Sequence, residues 1–178
     1  KAISIYQELN KERFSVAHYN PYFASLLKTE QYKKAEKLAK KVAKIYPNSL
    51  SYQLEVGIAQ QKGGNTKKAD RTLKKIFENL TGQKSQAINL ANTFRRYDMY
   101  GDALRVYFLS QKLNDKSNFG TQKAQLYADL DNMDLMIVEY LDELKRNPKQ
   151  KKMIFAKIQF FLNNDGIKSE SNYQLVKK

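Results

Sequence analysis

The sequence predicts an all-α fold built from repeated helix hairpins, and three observations support this prediction. Apolar residues recur at helical spacing along almost the whole chain, and no stretch alternates apolar and polar residues as a strand would. Proline and glycine are scarce, with 3 and 7 residues in 178, so the connections between helices must be short. The third observation is that one helical pattern returns along the chain at a nearly constant interval.

The clearest single helix is predicted within residues 31–47, QYKKAEKLAKKVAKIYP. Ala35, Ala39 and Val42 fall on one broad apolar face, and the lysines fall largely opposite. We expect these lysines to lie on the solvated side of the helix.

This helix is one copy of a repeated segment. Ala35 in YKKAEKLAKKV is followed by Ala69 in TKKADRTLKKI, Ala103 in YGDALRVYFLS and Met136 in MDLMIVEYLDEL, at intervals of 34, 34 and 33 residues. Each segment follows a short turn (KTEQ, KGGN, YDMY or DLDN), and each turn follows another apolar-periodic stretch. The repeated unit is therefore a helix, a tight turn and a second helix.

These units resemble the tetratricopeptide repeat (TPR) family, whose pattern includes an aromatic residue, Leu-Gly, Tyr, Ala, Phe or Ala, and a closing Pro. The matching positions in the four units are Tyr19, Tyr22, Phe23, Leu26, Ala35, Ala39, Val42 and Pro47; Gln53, Val56, Gly57, Gln60, Ala69, Leu73, Ile76 and Thr81; Ala87, Leu90, Ala91, Phe94, Ala103, Tyr107, Ser110 and Asp115; and Ala124, Tyr127, Met136, Tyr140 and Pro148. The first unit departs from the pattern at Phe23, where the family has a small residue.

The resemblance implies an α-solenoid, a superhelix of TPR-like antiparallel hairpins with about 11 helices. We expect one solenoid over residues 1–178. Its units would be residues 1–15 (a second helix only), 16–49, 50–83, 84–116, 117–149 and an incomplete 150–178. Because the pattern begins and stops inside repeats, we expect the chain to be a fragment of a longer TPR-like protein. Its composition, rich in Lys, Asn and Tyr and without Cys or Trp, favours a bacterial origin.

Little in the sequence indicates catalysis. There is no cysteine and only one histidine, His18, so a thiolate metal site or a histidine relay has little support. DLDNMD lacks the glycine and glutamate of a calcium loop, and KGGNTKK lacks the order of a phosphate-binding loop. We therefore expect no enzymatic activity, no cofactor and no metal.

The net charge of +14 comes mostly from lysine, since the chain has 26 Lys and 6 Arg. Arginine is the residue favoured for bidentate recognition of phosphate and bases, so this bias favours weak attraction to acidic partners over specific nucleic-acid binding. Residues 1–48 hold 10 basic and 4 acidic side chains, a net of +6, whereas residues 117–150 hold 4 and 6, a net of −2. An acidic partner is therefore expected toward the N-terminal part.

In the TPR family the first helix of each unit lines a concave groove, and the resemblance implies which residues would do so here. The candidate partner-binding residues are Asn20, Lys28, Ile58, Gln61, Lys62, Asn92, Arg95 and Arg96. Lys28, Lys62 and Arg96 are spaced 34 apart and would form a basic ladder along one edge, which Asp129 interrupts in the fourth unit. An alternative is that these cations only stabilise the C-termini of their helices.

The leading functional hypothesis is a non-catalytic scaffold that binds a peptide or a partner subunit in this groove, with an acidic segment as one candidate. The alternative is a nucleic-acid-associated helical-repeat protein that uses its basic surface. Attachment of the lysine-rich helix to an anionic membrane ranks third. The absence of cysteine weakly favours the bacterial periplasm or cell envelope over the cytoplasm.

Overall fold

The structure is a computed structural model that describes residues 16–164, and the side chains of residues 17–161. This part of the chain contains nine α-helices, one short 3-10 helix and no strand, which confirms the all-α prediction. The helices are α1 Val16–Lys28, α2 Tyr32–Ile45, α3 Leu50–Lys62, α4 Thr66–Glu78, α5 Lys84–Arg96, α6 Tyr100–Leu113, α7 Gly120–Asp129, α8 Met133–Arg146 and α9 Lys151–Asn164, with the 3-10 helix at Pro148–Gln150. The helices expected within 1–15 and at the C-terminal end of 150–178 lie outside the described residues, so the count is nine rather than about 11.

The helices pack as consecutive hairpins. Helices α1 and α2 lie within residues 16–49, and the pairs α3–α4, α5–α6 and α7–α8 follow within the next three predicted units. The chain forms two compact units that divide between Thr81 and Gly82, with α1–α4 in unit 1 and α5–α9 in unit 2. A single solenoid over the whole chain stays a prediction. None of the described helices combines the length and the apolar character needed to cross a bilayer.

One backbone motif forms all four turns between paired helices. Glu30, Gly64, Asp98 and Asp131 adopt the left-handed conformation, with φ of 57°, 80°, 59° and 57°, at intervals of 34, 34 and 33 residues. In the first turn the N–H of Glu30 donates to the Leu27 carbonyl at 3.2 Å, and the N–H of Gln31 donates to the Leu26 carbonyl at 2.9 Å. This is the Schellman motif, which satisfies carbonyl groups left open at a helix C-terminus.

The other three turns have the same pair of hydrogen bonds. Their longer-range bonds run from Asn65 to Gln60 at 2.8 Å, from Met99 to Phe94 at 3.0 Å and from Asn132 to Tyr127 at 2.8 Å. The repeat in the sequence is thus also a repeat in the backbone.

Small residues allow the paired helices to cross closely. Ala35, Ala69 and Ala103 are at most 1% exposed, and in the fourth hairpin the flexible Met136 is fully buried at the same position. Across the second hairpin, a Cβ added to Gly57 would lie 3.4 Å from Thr72 Cγ2, which is van der Waals contact. There is therefore little room between α3 and α4 for a larger side chain.

Helix α3 is the centre of unit 1. Seven consecutive residues, 54–60, are buried, so the helix packs on all sides instead of presenting one apolar face. Two of these residues are polar, and both are satisfied. The Tyr19 hydroxyl donates to Glu55 Oε2 at 2.7 Å, while Gln60 donates to Glu36 Oε1 at 3.0 Å and accepts from Thr72 Oγ1 at 2.9 Å. These bonds tie α1, α2 and α4 to α3.

In unit 2, α7, α8 and α9 share one apolar cluster. Its buried members are Ala124, Met136, Ile137, Tyr140, Ile154 and Ile158. A polar cluster fixes the start of α7 against α8. Asn118 donates to the buried Glu143 carboxylate, and its Oδ1 accepts from Gly120 N and from Arg146 Nη1, both at 3.0 Å. The segment before α7 is therefore held by hydrogen bonds to α8.

Candidate partner-binding site

In unit 1, four of the five predicted partner-binding residues are exposed. Asn20 and Lys28 lie on α1, and Gln61 and Lys62 are the last two residues of α3. Ile58 is only 3% exposed, because the middle of α3 is buried on every side, so its side chain offers almost no surface to a partner. The sequence signal for this burial is the weak amphipathicity of α3, which is typical of a helix surrounded by other elements.

The cations of the predicted ladder occupy equivalent positions at helix ends. Lys28, Lys62 and Arg96 are each the last residue of their helices, α1, α3 and α5, and all three are exposed. A cation at this place interacts favourably with the helix dipole, worth about 0.3–1 kcal/mol. The two interpretations, partner binding and helix stabilisation, are therefore compatible. Lys28 and Lys62 belong to unit 1 and Arg96 to unit 2, so a ladder through all three rests on the sequence spacing.

In unit 2, Asn92 is exposed but Arg95 is engaged in an ion pair. The Arg95 guanidinium donates through Nη2 to Asp129 Oδ1 at 2.9 Å and through Nε to Asp129 Oδ2. This two-point hydrogen bond raises the pKa of Arg95 above its ordinary value. Asp129, which was expected to interrupt the ladder, instead forms an ion pair with Arg95, the residue before the ladder's Arg96, and neutralises its charge. The two residues are 34 apart, and this spacing was the available signal that they occupy neighbouring equivalent positions.

A pocket on α1 and α2 is a feature that the sequence reasoning missed. The described residues place Tyr22, Leu38 and Ala43 on its apolar part. Its other lining residues are five lysines of α2, namely Lys34, Lys37, Lys40, Lys41 and Lys44. The lysines are exposed, as expected from the amphipathic pattern, but they surround a concave apolar surface. We call this feature the α2 pocket.

The acidic residue nearest in sequence to these lysines is held by α3. Glu36 pairs with Lys40 at 2.7 Å and accepts a hydrogen bond from the buried Gln60. The hydrogen bond from Lys40 and the bond from Gln60 lower the pKa of Glu36, so its carboxylate stays ionised. Glu36 does not line the α2 pocket, and neither does any other acidic residue of the described chain. The charged lining residues that the structure describes are therefore all positive.

The described residues contain no group of three His, Cys, Asp or Glu side chains arranged to hold a metal ion. His18, the single histidine, is half-buried on α1, and its buried Nδ1 has no hydrogen-bond partner among residues 16–164.

No protein-family model matches the chain, and a search of curated proteins found no relative. Among solved structures, the chain is similar to a thermophilic TPR protein of Thermus thermophilus, with 15% identity, a TM-score of 0.44, and coverage of 90% of this chain and 88% of the other. It is also similar to a chain of the Naa15/Naa10 complex bound to HypK-THB, with 17% identity and a TM-score of 0.43, over 90% of this chain but only 24% of that chain. A mutant of MamA gives 18% identity and a TM-score of 0.40, over 90% and 95% of the two chains. These TM-scores are too low to support an argument, so the functional conclusions rest on the chain's own residues.

Proposed function

We propose that this chain is a non-catalytic protein-interaction scaffold, a TPR-like helical repeat that binds a peptide or a partner subunit with acidic character. The observation that supports it most is the repeated hairpin, in which the first helix of three successive units ends in an exposed cation. A hairpin of this kind buries its apolar face against its neighbours, so its polar face is left for binding. The net charge of +14 favours an acidic partner.

The residues that we propose for partner contact are those predicted from the repeat register. In unit 1 they are Asn20, Lys28, Gln61 and Lys62, and in unit 2 they are Asn92 and Arg96, all of which are exposed. Arg95 and Ile58 are weaker members of the set, because one is paired with Asp129 and the other is buried.

The proposal is tested by affinity capture with the full chain as bait, followed by quantitative mass spectrometry. A variant with Lys28, Lys62 and Arg96 changed to Glu should recover about tenfold less of its partner, the effect of losing about 1.4 kcal/mol. The matched control changes the exposed Lys67, Lys75 and Lys84 to Glu, which alters the net charge equally. Equal recovery by both variants and the unmodified chain would remove these residues from the proposal, and recovery of no specific partner would remove the function.

A second candidate function is nucleic-acid binding, which the excess of 32 basic over 18 acidic side chains favours. Titration with single-stranded RNA at low salt distinguishes it, since binding to phosphates weakens steeply as salt is added. A flat titration would exclude this alternative.

A further inference from the structure

We infer that the α2 pocket binds an acidic amphipathic helix of a partner protein, with apolar side chains of that helix against the half-buried Leu38 and Ala43 and its carboxylates among the surrounding lysines. This inference rests on the proposed function and assigns it a different surface, because none of the eight candidate partner-binding residues lines the α2 pocket.

The shape of the first hairpin explains why a pocket occurs there. Phe23 occupies the position that Gly57 has in the second hairpin, and it is buried and stacked on Tyr19 with ring centroids 5.6 Å apart. Helices α1 and α2 contact each other less extensively than α3 and α4, whose crossing is closed around Gly57. Leu38 and Ala43 are left half-buried at the α2 pocket.

The spacing of the lysines suits a helical partner. Lys37, Lys41 and Lys44 follow one another at i, i+4 and i+7, so they lie along one side of α2. All three are exposed and make no ion pair within the described part of the chain, so their charges are available. Lys34 bonds to Gln31 at 2.7 Å and Lys40 to Glu36, so these two contribute less.

Charge and shape together favour an acidic protein segment over other anions. A nucleic acid would favour arginine and exposed aromatic platforms. Among the described lining residues the only cations are lysines, and the only aromatic residue, Tyr22, is 7% exposed. A flat membrane surface does not match a concave pocket. The chain's own residues 1–15 carry three basic and two acidic side chains, a net of +1, so they lack the complementary charge.

The test uses fluorescence anisotropy with the full chain and a labelled peptide of about 20 residues, long enough to form a helix. The peptide has Leu on one face at i, i+3, i+4 and i+7 spacing and Glu elsewhere. Two matched peptides replace Glu by Lys, or Leu by Ser. We expect the acidic amphipathic peptide to bind and both matched peptides to bind at least about tenfold more weakly.

Variants of the chain distinguish binding at the α2 pocket from a general effect of positive charge. Lys37, Lys41 and Lys44 changed together to Glu should raise the Kd for the acidic peptide at least about tenfold, and Leu38→Ser should raise it about fivefold. The control with Lys67, Lys75 and Lys84 changed to Glu should change it less than about twofold. Circular dichroism of each variant verifies that the helices are intact.

Three results would overturn the inference. One is an equal loss of peptide binding in the α2 pocket variant and in the control, which would show that only net charge matters. Another is loss of peptide binding when Lys28 and Lys62 are changed to Glu, together with unchanged binding by the variant of Lys37, Lys41 and Lys44. That result would support the proposed function at its predicted groove and exclude the α2 pocket. The third is failure of the acidic peptide to bind, together with binding of poly(U) or of phosphatidylserine vesicles that is weakened by Leu38→Ser. That result would assign the α2 pocket to a nucleic acid or a membrane.

Discussion

Four residues at the turns between paired helices adopt the left-handed backbone conformation, and only one of them is glycine. Gly64 reaches φ 80° without cost, whereas Glu30, Asp98 and Asp131 hold φ near 60° with a Cβ present. This conformation costs a residue other than glycine about 1–2 kcal/mol, and Asp tolerates it better than Glu because its short side chain can bond locally. The first turn therefore contains the most strained residue of the four.

We expect Glu30→Gly to raise the free energy of unfolding by about 0.5–1 kcal/mol, because the relief of strain exceeds the added entropy of the unfolded chain. Gly64→Ala should lower it by a similar amount, although nothing lies within 4 Å of the added Cβ. Lys37→Gly, inside α2, is the matched control and should cost about 1 kcal/mol. Urea denaturation measures all three, and a loss of stability in Glu30→Gly would contradict the assignment of this turn.

Tyr140 illustrates the cost of a buried hydroxyl. Its side chain is fully buried in the cluster of α7, α8 and α9, and its hydroxyl has no hydrogen-bond partner within the described residues. Burial raises the pKa of Tyr140 to about 12, and burial also raises the pKa of Tyr107 to about 12. A raised pKa means that the fold favours the neutral phenol.

The stability that depends on these neutral phenols should be present below pH ~10, the ordinary pKa of tyrosine, and lost as the pH rises toward about 12. Tyr140→Phe should raise the free energy of unfolding at pH 8 by up to about 1 kcal/mol, since it removes an unsatisfied buried hydroxyl. It should also reduce the alkaline loss of stability, leaving the part due to the other tyrosines with raised pKa, Tyr107 among them. Denaturant titrations at pH 8 to 12 check this, and an identical alkaline loss in the variant would refute it.

At the scale of single elements, the alanine of each second helix decides how closely a hairpin can close. Ala69 is 1% exposed on α4, and its carbonyl lies 4.0 Å from a Cβ added to Gly57 on the facing helix. The same position in the fourth hairpin is filled by Met136, an unbranched side chain that adapts to the available space.

We expect Ala69→Leu to lower the free energy of unfolding by about 1–3 kcal/mol, because the added carbons have no room between α3 and α4. Ala69→Met should cost less, since its side chain can bend away. The control Lys75→Leu, on the exposed side of the same helix, should change stability by less than about 0.5 kcal/mol. If Ala69→Leu unfolds at the same urea concentration as Lys75→Leu, the close crossing is not present.

The sequence predicts the helices and their register well, because both depend on apolar spacing and on one small residue per hairpin. It does not reveal the left-handed Glu30, Asp98 and Asp131, since no glycine marks those turns. It also places Ile58 in a groove, whereas α3 is buried on all sides. Such burial depends on how many neighbouring elements surround a helix. The only sign of it in the sequence is that the apolar residues of the helix do not fall on one face.

The candidate site was predicted in part. The exposed cations at helix ends follow from the repeat spacing, but the ion pair of Arg95 with Asp129 and the α2 pocket do not. A lysine-rich amphipathic helix usually indicates only a solvated face, and the concave surface beneath these lysines is formed together with Tyr22, a residue of another helix. Tertiary packing of this kind is not visible in the helix's own pattern.

At the scale of the whole molecule, charge and architecture point to a binding role. The two compact units are each built from helix hairpins, and residues 1–48, which include the α2 pocket, carry a net charge of +6. A chain of this kind would act by holding a partner, and the site of contact is the central question.

Hydrogen–deuterium exchange of the full chain, with and without a saturating amount of the acidic amphipathic peptide, answers that question most directly. We predict slower amide exchange in residues 32–45, which form α2, and around Tyr22 on α1, with no change in α5–α8. Unchanged exchange throughout the chain, or equal slowing in every helix, would contradict the account.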